Sequence, residues 1–299
     1  MKWDSYIKGY ASYLKLERSL SVNSVSSYTE DVEKLSEFFS QQHASVAPEK
    51  VTLEILREFV EWINENGLSG RSQARILSGI KSFFKYLILE NVIQDNPAAL
   101  LESPRIGRKL PDTLSIEEID SLIAAIDLSK PEGTRNKAML ETLYGCGLRV
   151  SELISLKISN YFPEIGYIKI TGKGNKERMV PIGSTAVKCI KFYLEGVRVH
   201  VQPQRGSEDI LFLNKRGTKL SRVMVFNLIK QLAELAGVKK KISPHTFRHS
   251  FATHLINGGA DLRAVQEMLG HESITTTEIY THIDRDYLRD SIIQFHPRY

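Results

Sequence analysis

The sequence predicts a mainly α-helical fold with two domains and one small antiparallel sheet, and three observations support this prediction. At 299 residues the chain is long for a single domain. Apolar residues recur at the helical spacing through the first hundred residues, and a stretch without any period follows them. Beyond that stretch most segments keep the helical spacing, whereas two short ones alternate as strands do.

The first hundred residues are expected to form four helices, because four runs of apolar residues each occupy one helical face. These runs begin at Trp3, Val22, Ile55 and Ile76. The fourth helix also contains basic residues, of which Arg71 and Arg75 are four positions apart and share a face. This face is either an ordinary solvated surface or a surface that lies against DNA.

A domain boundary is predicted at residues 103–111. This segment contains two prolines, one glycine and three basic residues, a composition typical of a linker. We therefore expect an N-terminal domain over residues 1–102 and a second domain over residues 112–299. A basic linker of this kind could follow a phosphate backbone while the two domains grip opposite faces of a duplex.

The second domain is predicted to be mostly helical with a single hairpin. Residues 167–171 and 177–182 alternate like strands, and the sequence Gly172-Lys-Gly-Asn-Lys between them is typical of a turn. Helices are expected near residues 116–126, 135–144, 149 onwards, 184–200, 221–236, 244–257, 262–269, 274–280 and 284–294.

The charge and the cysteines limit the classes of function. The net charge is +5; residues 1–105 contain 12 Lys and Arg against 14 Asp and Glu, whereas residues 106–299 contain 28 against 21. A basic excess of this size fits a polyanionic partner without proving one. Cys146 and Cys189 lack metal or redox spacing, which predicts reduced thiols in the cytoplasm. No apolar run approaches the roughly 18 residues that a membrane span needs, so we expect no membrane partner.

An anion-binding site is predicted at the start of the helix that follows Ser243. Ser243 suits the N-cap and Pro244 the first helical position. His245 and Arg248 then share one face near the helix N-terminus, where the helix dipole and free N–H groups favour anions. For this segment taken by itself, two ordinary surface residues near a helix start are the alternative.

Four further residues are candidates for chemistry with phosphate. Arg149 stands where a helix begins, and Lys173 lies in the predicted turn. His271 directly follows the glycine that ends a helix, and Tyr280 lies near the end of the next predicted helix. Taken singly, His271 and Tyr280 are more often structural than functional.

Metal, nucleotide and hydrolase chemistry are not indicated. His245 and His249 are an i, i+4 histidine pair, but no glutamate is placed as in His-Glu-x-x-His, and no cysteine is near. The full P-loop pattern is absent around Gly172-Lys173, and Gly-x-Ser-x-Gly is absent as well. We therefore expect neither a metal nor another cofactor.

Together these motifs resemble the tyrosine recombinases, and in particular the Xer subfamily, over nearly the whole chain. The densest part of the resemblance runs from Ser243 to His282 and contains HTFRHSFATHLINGGADLRAVQEMLGHESITTTEIYTH. Agreement extends to the segments Gly147-Leu-Arg-Val-Ser-Glu-Leu, Gly172-Lys-Gly, Arg108-Lys-Leu-Pro, Gly70-Arg-Ser and Phe295-His-Pro-Arg. Glu272 departs from the pattern, because many relatives have a small polar residue there.

The resemblance implies a fold and a nucleophile. The expected fold is an N-terminal four-helix, SAM-like core-binding domain followed by a mixed α/β tyrosine-recombinase catalytic domain. Tyr280 would attack the scissile phosphorus to give a 3′-phosphotyrosine and a free 5′-hydroxyl. His245 would act as base or proton relay for the phenol, and Lys173 would protonate the leaving 5′-oxygen.

The same resemblance implies how the phosphate is held. Arg149 and Arg248 would bind its non-bridging oxygens, and the planar guanidinium fork suits that task. His271 would hydrogen-bond the phosphate. Glu152, one helical turn after Arg149, would orient that arginine or be an ordinary surface glutamate.

The partners implied by the resemblance are double-stranded DNA with a dif-type site and a homo- or heterotetramer with a related recombinase. Resolution of chromosome dimers through a Holliday junction, with a septal DNA translocase as activator, would be the biological role. A mobile-element integrase and a non-cleaving DNA-binding regulator of the same fold are the alternatives. The final helix, about residues 284–294, would pack on a neighbouring protomer. The predicted DNA contacts are Arg71, Arg75, Lys81 and Arg222.

Overall fold

The computed structural model describes residues 2–104, 112–172, 176–270 and 285–299. The chain divides into two compact units, Met1–Lys109 and Leu110–Tyr299. Each unit has its own hydrophobic core. The mainly helical fold predicted from the sequence is confirmed.

The first unit is helical in its described part, as the apolar runs predicted. Its helices are α1 (Lys2–Leu16), α2 (Val22–Gln42), α3 (Leu53–Glu65) and α4 (Gly70–Leu89). The hydroxyl of Ser21 accepts from the backbone N–H of Ser24 at 3.2 Å and so caps α2. Ser69 caps α4 in the same way, through the N–H of Ser72 at 3.3 Å.

The helices α2 and α4 are joined by a buried carboxylate. Asp31 of α2 is 1% exposed, and its oxygens lie 2.6 and 2.9 Å from the Nη2 and Nη1 atoms of Arg75. Arg75 also donates to the Ser27 hydroxyl at 2.6 Å. A Cβ atom at Gly79 would lie 2.5 Å from Asp31 Oδ2, so glycine leaves the room that the carboxylate occupies. Because Ser27 meets Arg75 and Asp31 meets Gly79, the two helices run parallel and begin at the same end of the unit.

The second unit combines helices with a small antiparallel sheet. Its helices are α5 (Ile116–Ala124), α6 (Pro131–Gly145), α7 (Val150–Ile154), α8 (Ser184–Gly196), α9 (Arg222–Leu235), α10 (Pro244–Gly258), α11 (Leu262–Leu269) and α12 (Arg285–Phe295). The strands β1 (Tyr161–Phe162), β2 (Tyr167–Thr171) and β3 (Glu177–Pro181) pair in the order β1-β2-β3, with Lys169 opposite Met179.

Some details of the second unit differ from the sequence prediction. The predicted hairpin gains the two-residue strand β1 at its edge. The helix expected over 184–200 ends at Gly196, and residues 198–200 form a short 3₁₀ turn instead. The helix predicted at 274–280 lies outside the described residues.

The core of the second unit is built around α6, which packs against α8 and α10. The side chains from Ala138 to Gly145 are all buried, including the carboxylate of Glu141, which faces Arg298 Nε at 3.4 Å. The helix α12 packs on its own unit, against α10, α11 and β3. Within the described residues, no helix is both long and apolar enough to cross a membrane.

The buried Asp31 predicts a pH dependence of stability. Burial raises the pKa of Asp31 to about 6, although Arg75 opposes this change. The unfolded carboxyl titrates near 4, so the folded unit binds the proton more tightly between about pH 4 and 6. Stability of the first unit should therefore decrease as the pH rises through this window, and Asp31→Asn should remove that part of the decrease.

Urea unfolding followed by tryptophan fluorescence tests this, because both tryptophans, Trp3 and Trp62, belong to the first unit. The exposed Asp95→Asn variant is the control. Identical pH profiles for Asp31→Asn and the unchanged chain would contradict the prediction.

Candidate active site

The site is organised around Glu152, a carboxylate that is 3% exposed. Glu152 lies in the first turn of α7, and its Oε2 accepts from the backbone N–H of Arg149 at 2.8 Å. The guanidinium of Arg149 folds back and donates to Oε1 at 2.9 Å. The glutamate thus caps its own helix and fixes the arginine that precedes it.

A second arginine, Arg178 of β3, binds the same carboxylate with two parallel hydrogen bonds. Its Nη1 and Nη2 atoms donate to Oε1 and Oε2 of Glu152 at 2.9 and 3.0 Å. Such fork-to-fork pairs are the strong form of the salt bridge. Burial raises the pKa of Glu152, but Arg178 and the Arg149 backbone N–H outweigh it and hold the pKa below its usual range.

A third arginine, Arg248 of α10, is also buried at this point. Its Nη1 atom lies 4.0 Å from Glu152 Oε2 and donates to the carbonyl of Gly147 at 2.8 Å. Gly147 has φ +57°, and a Cβ there would lie 2.4 Å from the Phe251 ring, so the turn before Arg149 requires glycine. Burial first, and Arg149 second, lower the pKa of Arg248 to about 10, which leaves it protonated at neutral pH.

The three arginines all reach the C-terminal end of α11. Three successive carbonyls accept from three different guanidiniums: Met268 from Arg178 at 2.9 Å, Leu269 from Arg248 at 2.5 Å, and Gly270 from Arg149 at 3.2 Å. Helix C-termini have unpaired carbonyls and negative potential, so cations stabilise them. Glu152 and these three arginines form one group, the Glu152 cluster. The cluster therefore holds the chain at Gly270, the residue before His271.

The cluster has an excess of positive charge that suits a phosphate. Three guanidiniums surround one carboxylate, and Arg149 is the most exposed of the three, at 32%. In the described part of the chain, Arg149 and Arg248 each use two of five N–H donors on other side chains or carbonyls. Their other donors match the geometry of phosphate oxygens.

The structure brings His245 to the same helix as Arg248. His245 follows Pro244 at the start of α10 and is exposed, whereas Arg248, one turn later, is buried. The capping residue predicted for this helix, Ser243, donates its backbone N–H to the Thr246 hydroxyl at 3.1 Å. The helix α10 thus begins where the sequence predicted, directly after Ser243.

Lys173, His271 and Tyr280 lie outside the described residues, but their chain neighbours are described. Gly172 lies at the cluster: a Cβ there would be 3.4 Å from Arg178 Nη1 and 3.7 Å from Glu152 Oε1. Gly270, in the left-handed conformation, ends α11 at the same place. Lys173 and His271 thus directly follow two glycines, Gly172 and Gly270, that lie against the cluster.

The predicted DNA contacts occupy varied surroundings. Arg71 is exposed in the first turn of α4, and Arg222 is exposed at the first position of α9. Arg75 is 47% exposed although it is paired with Asp31. Lys81 donates to the Leu101 carbonyl at 2.7 Å, which gives it a structural role. All four remain predictions.

Sequence reasoning missed Arg178. Its signal lies in the alternation of β3, because Arg178 stands two positions before the buried Val180 and therefore on the same face of the strand. An arginine on the inward face of a strand needs a buried partner, which Glu152 supplies. Within the described residues, no cluster of three or more His, Cys, Asp or Glu side chains could hold a metal.

Comparisons with known proteins agree with this geometry. The phage integrase family matches residues 112–286, and its N-terminal SAM-like domain matches residues 7–91. A tyrosine recombinase XerD from Chlorobaculum tepidum is 45% identical over 300 residues, which cover 99% of this chain and 97% of that protein. A tyrosine recombinase XerD from Staphylococcus aureus is 40% identical over 295 residues, 99% of each chain.

Solved structures agree as well. A XerH site-specific recombinase in a post-cleavage complex with palindromic difH substrate is 26% identical, with a TM-score of 0.71 over 95% of this chain and 83% of that chain. A lambda integrase tetramer bound to a Holliday junction, at 18% identity, has a TM-score of 0.72 over 95% and 80% of the chains, which shows the shared fold. The chain therefore belongs to the phage integrase family of tyrosine recombinases. Its similarity to XerD proteins over the whole length makes it a Xer-type, DNA strand-transferring enzyme.

Removing the carboxylate of Glu152 should destabilise the second unit. Glu152→Ala leaves three guanidiniums without their common partner, and breaking a buried ion pair costs about 3–5 kcal/mol. Circular dichroism during unfolding reports both units, whereas tryptophan fluorescence reports the first, so the difference between the two signals assigns the loss. Because the pKa of Glu152 is lowered, its contribution is present above about pH 4.3 and disappears as the pH falls through the folded-state pKa.

Glu177→Ala is the matched control, since Glu177 is an exposed carboxylate on β3 paired with Lys169 at 3.3 Å. An exposed pair contributes less than about 1 kcal/mol. Equal losses for the two variants would contradict the central position of Glu152.

Proposed function

We propose that Arg149 and Arg248 bind the scissile phosphate, with Tyr280 as the nucleophile. The observation that supports this most is their convergence: residues 99 positions apart lie against one carboxylate and donate to adjacent carbonyls at the end of α11. A fixed pair of cations in a low-dielectric site stabilises the charge that develops on the phosphate oxygens. The same arrangement would do little for a protein that merely binds DNA.

The remaining catalytic residues complete a transesterification. A phenol is ordinarily protonated at neutral pH, so the Tyr280 nucleophile needs a base, and we assign that role to His245. The Tyr280 oxygen bonds to phosphorus while the bond to the 5′-oxygen breaks, and Lys173 gives that oxygen its proton. His271 hydrogen-bonds the phosphate. The phosphotyrosine keeps the energy of the diester, so a 5′-hydroxyl of the partner strand can reverse the step without a nucleotide.

We further propose a dif-type site in duplex DNA as the substrate and a tetramer as the active assembly. The XerH complex with difH substrate and the two XerD relatives support this choice over a mobile-element integrase. In this proposal the two domains, residues 1–102 and 112–299, hold the duplex while the linker at 103–111 follows its backbone. The enzyme would resolve chromosome dimers in the cytoplasm, at the nucleoid, alone or with a related recombinase and under a septal DNA translocase. Docking of α12 on a neighbouring protomer belongs to the same proposal; because α12 here packs on its own unit, against α10, α11 and β3, this docking requires that α12 leave that position.

Tyr280→Phe should bind DNA but form no covalent adduct. The assay uses a dif-type duplex nicked beside the scissile phosphate, so that the released fragment diffuses away and the adduct accumulates. The unchanged chain should form the adduct with or without EDTA, because the arginines supply the positive charge. An adduct in Tyr280→Phe would remove the nucleophile assignment, and dependence of cleavage on a divalent ion would contradict the metal-free mechanism.

Arg71 and Arg75 should contribute to DNA affinity through phosphates. They lie near the end of the first unit where α2 and α4 both begin, so two helix N-termini add to their positive potential. Arg71→Ala should weaken binding for every sequence and lower the salt slope by about one. Arg75→Ala is made in the Asp31→Asn background, because Asp31 would otherwise be left buried without its partner.

Titration of a fluorescent duplex at several salt concentrations measures both effects. Lys50→Ala is the control, since Lys50 is exposed in the same unit but far along the chain from both helix starts. Salt slopes equal to that of the unchanged chain would remove Arg71 and Arg75 from the proposed interface.

A further inference from the structure

We propose that Arg178 is a positioning residue for Lys173: it holds the base of the connection between β2 and β3 against the Glu152 cluster. The inference rests on the proposed function, because it assigns a role to Arg178 through a lysine that protonates the leaving oxygen. It adds a residue that acts without touching the DNA.

The first observation is the place of Arg178 in the hairpin. Lys173 belongs to the segment that joins β2 to β3, and the base of this segment is closed by the Gly172 N–H, which donates to the Lys176 carbonyl at 2.7 Å. Arg178 lies opposite Ile170 in the ladder, two residues after Lys176. A Cβ at Gly172 would be 3.4 Å from Arg178 Nη1, so the residue before Lys173 rests against this guanidinium.

The second observation is that Arg178 connects the hairpin to two fixed elements. Its Nη atoms bind Glu152 of α7 at 2.9 and 3.0 Å, and its Nε donates to the Met268 carbonyl of α11 at 2.9 Å. A Cβ at Gly270 would lie 3.2–3.4 Å from three atoms of the same side chain. The hairpin base is thereby held to the elements that carry Arg149 and end before His271.

The third observation separates this role from phosphate binding. Exposure does not make this distinction, because the side chain of Arg178, at 11%, lies between those of Arg248, at 8%, and Arg149, at 32%; the hydrogen bonds make it. Its three bonds to Glu152 and Met268 use both Nη atoms and Nε, so the guanidinium is directed at the protein. Arg178 therefore acts through the residues that it holds.

The chemistry of the contact requires arginine. A guanidinium fork can bind both oxygens of Glu152 and still donate from Nε, whereas a lysine ammonium is a single point donor. Arg178→Lys keeps the charge beside Glu152 but not this geometry, and Arg178→Met removes both. The hairpin base should then shift relative to Arg149, and small misplacements of a catalytic group cost up to about 10²-fold in rate.

The test compares two leaving groups in the nicked dif-type duplex, using the full chain. In one duplex the leaving atom is the natural 5′-oxygen; in the other it is sulfur in a 5′-bridging phosphorothiolate. A thiol has a pKa of about 8.5 and leaves as the thiolate, so it does not need the proton from Lys173. Single-turnover rates of adduct formation are measured for the unchanged chain, Arg178→Lys, Arg178→Met and Arg149→Ala.

On the natural duplex we expect Arg178→Met to lose about 10–10²-fold in cleavage rate with duplex affinity unchanged, and Arg178→Lys to lose less. On the sulfur duplex the loss in both Arg178 variants should largely disappear, whereas the loss in Arg149→Ala should persist. Arg198→Met is the matched control, because Arg198 is a buried arginine that donates to the Glu208 carbonyl at 3.0 Å away from the cluster. It should lower stability without any dependence on the leaving atom.

Each outcome decides between the proposals. If the unchanged chain forms no adduct on either duplex, the proposed function fails. If the unchanged chain forms the adduct and the Arg178 variants cleave the natural duplex as fast as the unchanged chain does, the positioning role fails while the proposed function stands. Arg178→Lys is the variant with the smaller expected loss. If its cleavage rate falls equally on the oxygen and the sulfur duplex, the positioning role also fails, because the effect would then not pass through Lys173.

Discussion

The second unit depends on one buried carboxylate that serves three arginines. Glu152 receives both Nη atoms of Arg178 and one of Arg149, and it lies within 4.0 Å of Arg248. Three guanidiniums at such short range would repel one another strongly without it. The carboxylate therefore allows a dense positive centre to exist inside a folded unit, and the charge that remains after its neutralising effect is available to an anion.

The end of α11 gives this centre its geometry. A guanidinium near a lone carboxylate can adopt several orientations, but each arginine here also donates to a backbone carbonyl of α11. At least two acceptors of the folded unit therefore define the plane of each guanidinium. Such preorganisation is what electrostatic catalysis requires, because the reorientation cost is met during folding.

Much of this arrangement could be predicted from the sequence, for physical reasons. Helical spacing is local, so the helices of the first unit and the start of α10 were correctly predicted. The family motifs singled out Arg149 and Arg248, which the structure brings to one carboxylate. The pairings of Glu152 with Arg178 and of Asp31 with Arg75 were not predicted. They join residues 26 and 44 positions apart, and a charged residue in the sequence does not reveal whether its partner is water or another side chain.

The contacts at α11 have a consequence for how this site can change during evolution. The arginines recognise carbonyl oxygens, which every amino acid provides, and not the side chains of Met268 or Leu269. Those side chains are free to diverge with the surrounding core while the same three acceptors persist. The arginine side chains cannot be replaced in this way. We therefore expect positions 268 and 269 to vary among relatives much more than the three arginines do.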